Sequence, residues 1–171
     1  MVSKSDIEVR WMIRKDIPAV MAIENDSFEH SWSEDDLLSC MRQRSVIGMV
    51  ADRNGQIAGF MVYEFHKHRL HILNFAVARE HRRTGVGRAM LNKLIGKLSP
   101  ERRTRIMLEV RETNLNAQLF FKACGFRAVS ILSGFWDDHN EDACLMQYRV
   151  ADVIHERASG VNRITSVRGS A

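Results

Sequence analysis

Arg82-Arg83-Thr84-Gly85-Val86-Gly87-Arg88-Ala89 lies between an apolar run, Leu70 to Ala78, and a segment, Ala89 to Ile95, whose apolar positions repeat at helical spacing. Strand, glycine-containing basic turn and helix together make an anion site. The glycines let backbone approach a ligand, the free amides at the helix start point at it, and the arginines add positive charge. Two familiar phosphate motifs are excluded. A P-loop requires Gly-x-x-x-x-Gly-Lys-Ser/Thr, and this turn has no such lysine. A dinucleotide fingerprint requires a third small residue after Gly85 and Gly87, where Met90 stands instead. The pattern Arg/Gln-x-x-Gly-x-Gly/Ala remains.

Other segments extend the pattern outward. Asn74-Phe75-Ala76-Val77 lies just upstream, and Leu108-Glu109-Val110-Arg111-Glu112-Thr113-Asn114 follows the helix. Ala117 to Phe126 reads Ala-x-x-x-Phe-x-x-x-Gly-Phe when started at Ala117 and closed on Gly125-Phe126. Ser31-Trp32-Ser33-Glu34 and Gly134-Phe135-Trp136 with Glu141-Asp142-Ala143 complete the set. In this order the motifs resemble the GNAT superfamily of acetyl-CoA-dependent N-acetyltransferases, and within it the ribosomal-protein alanine N-acetyltransferases. The resemblance covers about residues 7–149.

It implies an α/β GNAT fold, a mixed, mostly antiparallel sheet flanked by helices, with acetyl-CoA as co-substrate and no metal. Backbone groups of Phe75, Ala76 and Val77 would pair with the pantetheine arm as a strand does. Backbone amides of Arg83, Thr84, Gly85, Val86, Gly87 and Arg88 would cradle the pyrophosphate. Asn114 would touch the cofactor, cap the next helix, or do both. Glu109 is the expected general base: a carboxylate that interrupts the apolar run Ile106 to Val110 is costly unless paired or functional. The alternative is a salt bridge with Arg111 or another arginine. An α-amine, with a pKa of about 7.7–8.0, asks less of a base than lysine near 10.4.

The chain departs from the pattern at two places. Phe121 occupies the position that usually supplies a tyrosine as general acid, and phenylalanine has no proton to give. It would instead wall the cofactor. Cys124 on the same helix is a substitute acid or a packing residue. Phe135-Trp136 replaces a Tyr-Tyr pair; with Trp32, these residues are walls of an acceptor pocket or core packing. Asp35, Asp36, Glu141 and Asp142 attract a basic peptide or serve helix starts and turns.

Length and composition agree. A chain of 171 residues is most simply one domain, residues 7–149, followed by a polar tail, residues 150–171. A net charge of +4 suits a polyanionic cofactor without requiring nucleic acid. The three cysteines lack metal-ligand spacing and read as free thiols in a reducing compartment. The start of the chain lacks a signal-peptide core, and no apolar run approaches the roughly 20 residues that cross a bilayer. A cytoplasmic protein is expected.

Periodicity and turn chemistry place the elements. Ile7 to Ile13 reads as a strand, with Val9, Trp11 and Ile13 on one face. Asp16 caps a helix with Pro18 in its first turn, and Ser33 caps another, Glu34 to about Gln43, with Asp36 completing a capping box. Val46–Asp52 and Gln56–Phe65 are strands joined by Asn54-Gly55, a hairpin signal, and Leu70–Ala78 continues the meander. The helix after the basic turn runs to about Leu98. Arg105–Arg111 is a strand and Asn114–Cys124 a helix with Gly125 as its cap; Phe126–Leu132 and Ala143–Arg149 are the last strands. Of the seven histidines, His66, His68 and His71 are the densest group, read as an exposed strand face without a supporting carboxylate.

The functional reading is acetyl transfer to an amine, the N-terminal α-amine of a protein such as a small-subunit ribosomal protein. The alternatives are a GNAT acting on lysine or a small amine, and a non-catalytic acyl-CoA-binding module. No membrane or direct nucleic-acid partner is expected.

Overall fold

The Asn54-Gly55 turn sets the register of the first half of the chain. In the computed structural model, which describes residues 6–136 and 140–150, both residues are left-handed, with φ of 54° and 83°. That is the geometry of a two-residue hairpin whose twist matches its strands. It joins β2 (Val46–Arg53) to β3 (Gln56–Phe65), with Arg53 opposite Gln56. β1 (Ile7–Trp11) pairs antiparallel with β2, and β4 (Arg69–Val77) pairs antiparallel with β3. Contacts divide the chain into two compact units. Among the described residues, the first comprises those up to His66 and Leu70–Lys97; the second comprises Lys67–Arg69 and those from Leu98 on.

In the first unit, helices cover both faces of the β1–β4 meander. α1 (Ile17–Ser27) and α2 (Glu34–Met41) bury Ile17, Val20, Ile23 and Leu37 against Val50, Phe60 and Val62. α3 (Val86–Ile95) packs on the opposite face. A Cβ built on Gly59 of β3 would sit 2.9 Å from Met90 Cε, 3.0 Å from the Ala76 carbonyl oxygen and 3.2 Å from Val86 Cγ1. Glycine at 59 therefore sets how closely α3, and the turn before it, approaches the sheet. A bulge interrupts the β3–β4 ladder: Val62 faces Asn74 but Tyr63 faces Ile72, leaving Leu73 as the extra residue. Bulges bend the strand that carries them, and this one stands immediately before Asn74-Phe75-Ala76-Val77.

The second unit holds β5 (Arg105–Arg111), α4 (Leu115–Ala123), β6 (Arg127–Trp136) and β7 (Glu141–Arg149). β7 pairs antiparallel with both β5 and β6. Asn114 caps α4 by accepting the Ala117 N–H at 3.1 Å. Its far end is closed by Gly125 at φ +94°, with Gly125 N–H donating to Lys122 O and Phe126 N–H to Phe121 O, each at 3.0 Å. This two-bond glycine cap stops the helix and sends the chain into β6. Phe120, Phe121, Phe126 and Tyr148 stack in sequence, with ring centroids 5.1, 5.3 and 5.6 Å apart.

Several boundaries differ from the sequence expectation. β1 ends at Trp11, and Trp11 and Ile13 are 71% and 55% exposed. Alternation gave them one face, but β1 pairs only with β2, and at the end of this edge strand both side chains stay exposed. Asp16 adjoins α1 without capping it through its side chain. Its buried carboxylate instead takes Arg10 at 2.8 and 3.0 Å and the Ile13 N–H at 2.8 Å. α2 stops at Met41 and α3 at Ile95, before Gly96. β6 and β7 extend to Trp136 and from Glu141, farther than predicted, through register shifts between Leu132 and Trp136. Of the predicted tail, residues 151–171 lie outside the described part. No helix among the described residues is long and apolar enough to cross a membrane.

Candidate active site

The basic turn forms as its glycines dictate. Gly85 stands at the N-cap of α3 with φ +91°, and Arg83 is also left-handed at φ +60°. A left-handed residue followed by the right-handed start of a helix lets successive amides converge on an anion. The first intrahelical bond runs from Ala89 N–H to Gly85 O at 2.9 Å. The amides of Val86, Gly87 and Arg88 precede it, at the positive end of the helix dipole. Gly87 is buried, whereas Arg83, Thr84, Gly85 and Arg88 are exposed.

Side chains brace this turn. Thr84 Oγ1 donates to His81 O at 2.5 Å and accepts from Arg53 of β2 at 3.1 Å. Arg82 Nε donates to Val77 O at 3.1 Å, tying the turn to the end of β4. Phe75, Ala76 and Val77 thus lead directly into the cation-rich turn, and Ala76 is buried against the α1–α2 core.

Sequence reasoning missed Glu24. It is 2% exposed, on α1. Its carboxylate accepts from Asn74 Nδ2 at 2.9 Å and from the Trp32 backbone N–H at 2.7 Å. A buried carboxylate pays its desolvation through such bonds, and here they fix the start of the Asn74–Val77 segment and the loop that carries Trp32. Trp32 itself is half-buried and packs on the α1–α2 core. The signal was available: Ile17, Val20 and Glu24 share one helical stripe. Ser33 and Asp36 form the predicted capping box, with Ser33 Oγ accepting Asp36 N–H at 3.1 Å and Asp36 Oδ2 accepting Ser33 N–H at 2.9 Å. The Ser33 bonds hold the Asp36 carboxyl below the usual range.

In the second unit, Glu109 lies on the half-buried face of β5 with Arg105, Met107 and Arg111, between the buried Leu108 and Val110 and opposite Leu145. Arg111, the arginine weighed as its partner, donates to Glu141 at 2.8 Å and lies 4.6 Å from the Trp136 ring centroid. Glu141 also takes the Thr113 hydroxyl, and these bonds, Thr113 first, hold its carboxyl below the usual range. Asp142 accepts the Gly134 N–H at 2.8 Å. Glu141 and Asp142 therefore have structural partners that shape the Phe135–Trp136 segment. Those two rings meet edge to face at 4.8 Å, and Phe135 is 45% exposed. Gln118 of α4 donates to the carbonyls of Arg111 and Glu112 at 3.1 and 2.9 Å, fixing α4 to the end of β5 beside Asn114. Phe121 is 4% exposed, inside the aromatic stack. Cys40, Cys124 and Cys144 are all free thiols; burial pushes those of Cys40 and Cys144 above the usual range.

Residues 17–126 match the Acetyltransferase (GNAT) family. The chain is 30% identical over 133 residues to the [ribosomal protein bS18]-alanine N-acetyltransferase of Escherichia coli strain K12, covering 77% of this chain and 89% of that enzyme. The crystal structure of the Escherichia coli ribosomal-protein-S18-alanine N-acetyltransferase superposes with a TM-score of 0.75 at 27% identity, over 84% of this chain and 94% of that one. Arabidopsis thaliana NAA60, crystallised with acetyl-CoA, shares the fold with a TM-score of 0.73 at 18% identity, over 85% and 99% of the two chains. With the strand, basic turn and helix in place, the chain belongs to the GNAT acetyltransferase family and is an acetyl-CoA-dependent N-acetyltransferase.

Proposed function

We propose that this enzyme acetylates the N-terminal α-amine of a protein, with a ribosomal protein as the acceptor class. The observation that carries the reading is the 133-residue similarity to an enzyme named for the alanine terminus of a ribosomal protein. The chemistry of the residues supports it. One carboxylate, Glu109, suffices for an α-amine that is already partly neutral near pH 7.7–8.0.

In this reading the backbone of Phe75, Ala76 and Val77 holds the pantetheine arm. The amides from Arg83 to Arg88, including Thr84, Gly85, Val86 and Gly87, hold the pyrophosphate, and the arginines neutralise its charge. Asn114 contacts the cofactor while capping α4. Glu109 takes a proton from the acceptor ammonium, directly or through one water, and the neutral amine attacks the thioester carbonyl. Backbone donors stabilise the oxyanion, and as the carbon–sulfur bond breaks the extra proton on the attacking nitrogen passes to water. The thiolate leaves without a tyrosine acid, since a thiol near pKa 8.5 is a tolerable leaving group. Phe121 supplies an apolar wall in place of that tyrosine. Trp32, Phe135 and Trp136 line the acceptor side. No step calls for a metal. Free thiols and a ribosomal acceptor both fit a cytoplasmic setting.

The test is acetylation of three acceptors, two peptides and a polyamine, followed by mass spectrometry. One has a free alanine N-terminus and no lysine. The second has a blocked N-terminus and an internal lysine. The third input is a small polyamine. Acetylation of the first at a kcat/KM at least tenfold above the others is expected. Preference for the lysine or the polyamine overturns the reading.

A further inference from the structure

We propose that Glu64, His66 and His71 form a binding site for a divalent transition-metal ion, zinc by preference. Glu64 and His71 are directly opposed in the β3–β4 ladder, so their side chains leave the same face of the sheet with Cβ atoms about 4.5–5.5 Å apart. His66 follows Glu64 by two residues, which returns it to that face just past the end of β3. One ligand atom from each of the three lies within 4.8 Å of the others. His66 Nε2 is 3.1 Å from Glu64 Oε2 and shut off from solvent.

Two imidazoles and a carboxylate are a ligand set that zinc accepts, with a fourth position left for water. Tetrahedral bonds of about 2.0–2.2 Å require the three atoms to close to about 3.3–3.6 Å of one another. Rotation of half-buried side chains supplies that movement without moving the ladder. The carboxylate is already oriented: Ser45 Oγ donates to Glu64 Oε1 at 3.0 Å, which leaves Oε2 facing the imidazole. Outer partners of this kind fix ligand geometry in metal sites. The site joins the turn after α2 to the β3–β4 hairpin. It stands six residues before Val77, or about 20 Å along the strand at 3.3–3.4 Å per residue. The proposed cofactor segment is thus at the other end of β4, and a bound ion would brace the hairpin rather than enter acetyl transfer.

The sequence reading set the histidines aside for want of a carboxylate. Glu64 supplies it through cross-strand pairing, and His68, exposed at the hairpin tip, stands outside the set.

Zinc chloride is titrated calorimetrically into tag-free, chelator-treated protein, with cobalt(II) absorption as a second reading of coordination. One equivalent should bind and raise Tm, and cobalt should give a four-coordinate spectrum. His66→Ala and His71→Ala should each lower affinity by more than the roughly 10–100-fold typical of an outer-partner change, which is the effect expected for Ser45→Ala. His68→Ala should bind like the native protein. Glu64→Gln, nearly isosteric, serves if a histidine variant fails to fold, and it too should lose the Tm response. Absence of binding by the native chain, or undiminished binding by folded Glu64→Gln and His71→Ala, overturns the proposal.

Discussion

Replacing Gly85 with alanine isolates a purely backbone effect at the turn proposed to hold the pyrophosphate. The residue holds φ +91°, and an added Cβ would meet nothing within 4 Å. The substitution therefore costs no steric clash; it costs the left-handed conformation, about 1–2 kcal/mol for an L-residue. That energy must appear somewhere. If the free protein keeps the turn, folding carries the cost, and Tm falls by about 2–4 °C per kcal/mol for a chain of this size. If the free protein relaxes the turn, cofactor binding must restore it, and acetyl-CoA affinity falls by about 5–30-fold. Thermal unfolding and calorimetric titration with acetyl-CoA, run on the same samples, measure the two parts. Asparagine tolerates the left-handed region better than alanine, so Gly85→Asn should recover much of the loss. A Gly85→Ala protein with both native Tm and native affinity would refute the role assigned to this turn.

Other substitutions probe the frame around it. Gly59→Val should cost about 1–3 kcal/mol, typical of overpacking, and should weaken acetyl-CoA binding by moving α3 off β3, read by chemical denaturation and titration. Phe121→Ala removes a ring 4% exposed from the aromatic stack and should cost about 3–5 kcal/mol. The Asp16 carboxyl is depressed chiefly by its hydrogen bonds from Arg10. A depressed carboxyl stabilises the fold above its unfolded pKa of about 3.9 and loses that contribution as pH falls through the folded value. Asp16→Asn should therefore cost about 1.5–3 kcal/mol at pH 7, and the gap to the native protein should shrink below about pH 4 in urea titrations.

The parts of this fold that were legible in the sequence are those specified within a few residues. Asn54-Gly55, the Ser33–Asp36 capping box, Gly85 at a helix start and Gly125 at a helix end each encode a backbone conformation locally, and each is found where it was read. What escaped depends on contacts between distant residues. Alternation in β1 could not say that Trp11, at the end of an edge strand, stays exposed. The far ends of β6 and β7 pair through register shifts, which break the two-residue period that reveals a strand. Glu24 meets Asn74, 50 residues away, and the Glu64–His71 pairing rests on β3–β4 register. Among the proposed site residues, the left-handed turn before α3 was readable because glycine reports its own backbone demand. The Arg111–Glu141 pair was not, since many arginines and acids could have been matched.

The most direct test of the account is the pH dependence of kcat for Glu109→Gln on an alanine-terminated peptide, measured with the acetyl-CoA dissociation constant. Glutamine keeps the shape and removes the base. A loss of kcat near neutral pH is expected, at the low end of the about 10²–10⁴-fold range of general-base catalysis. Partial recovery as pH rises past the acceptor amine's pKa, and an unchanged acetyl-CoA dissociation constant, should accompany it. A variant with native kcat across that range would contradict it and make Glu109 a structural residue.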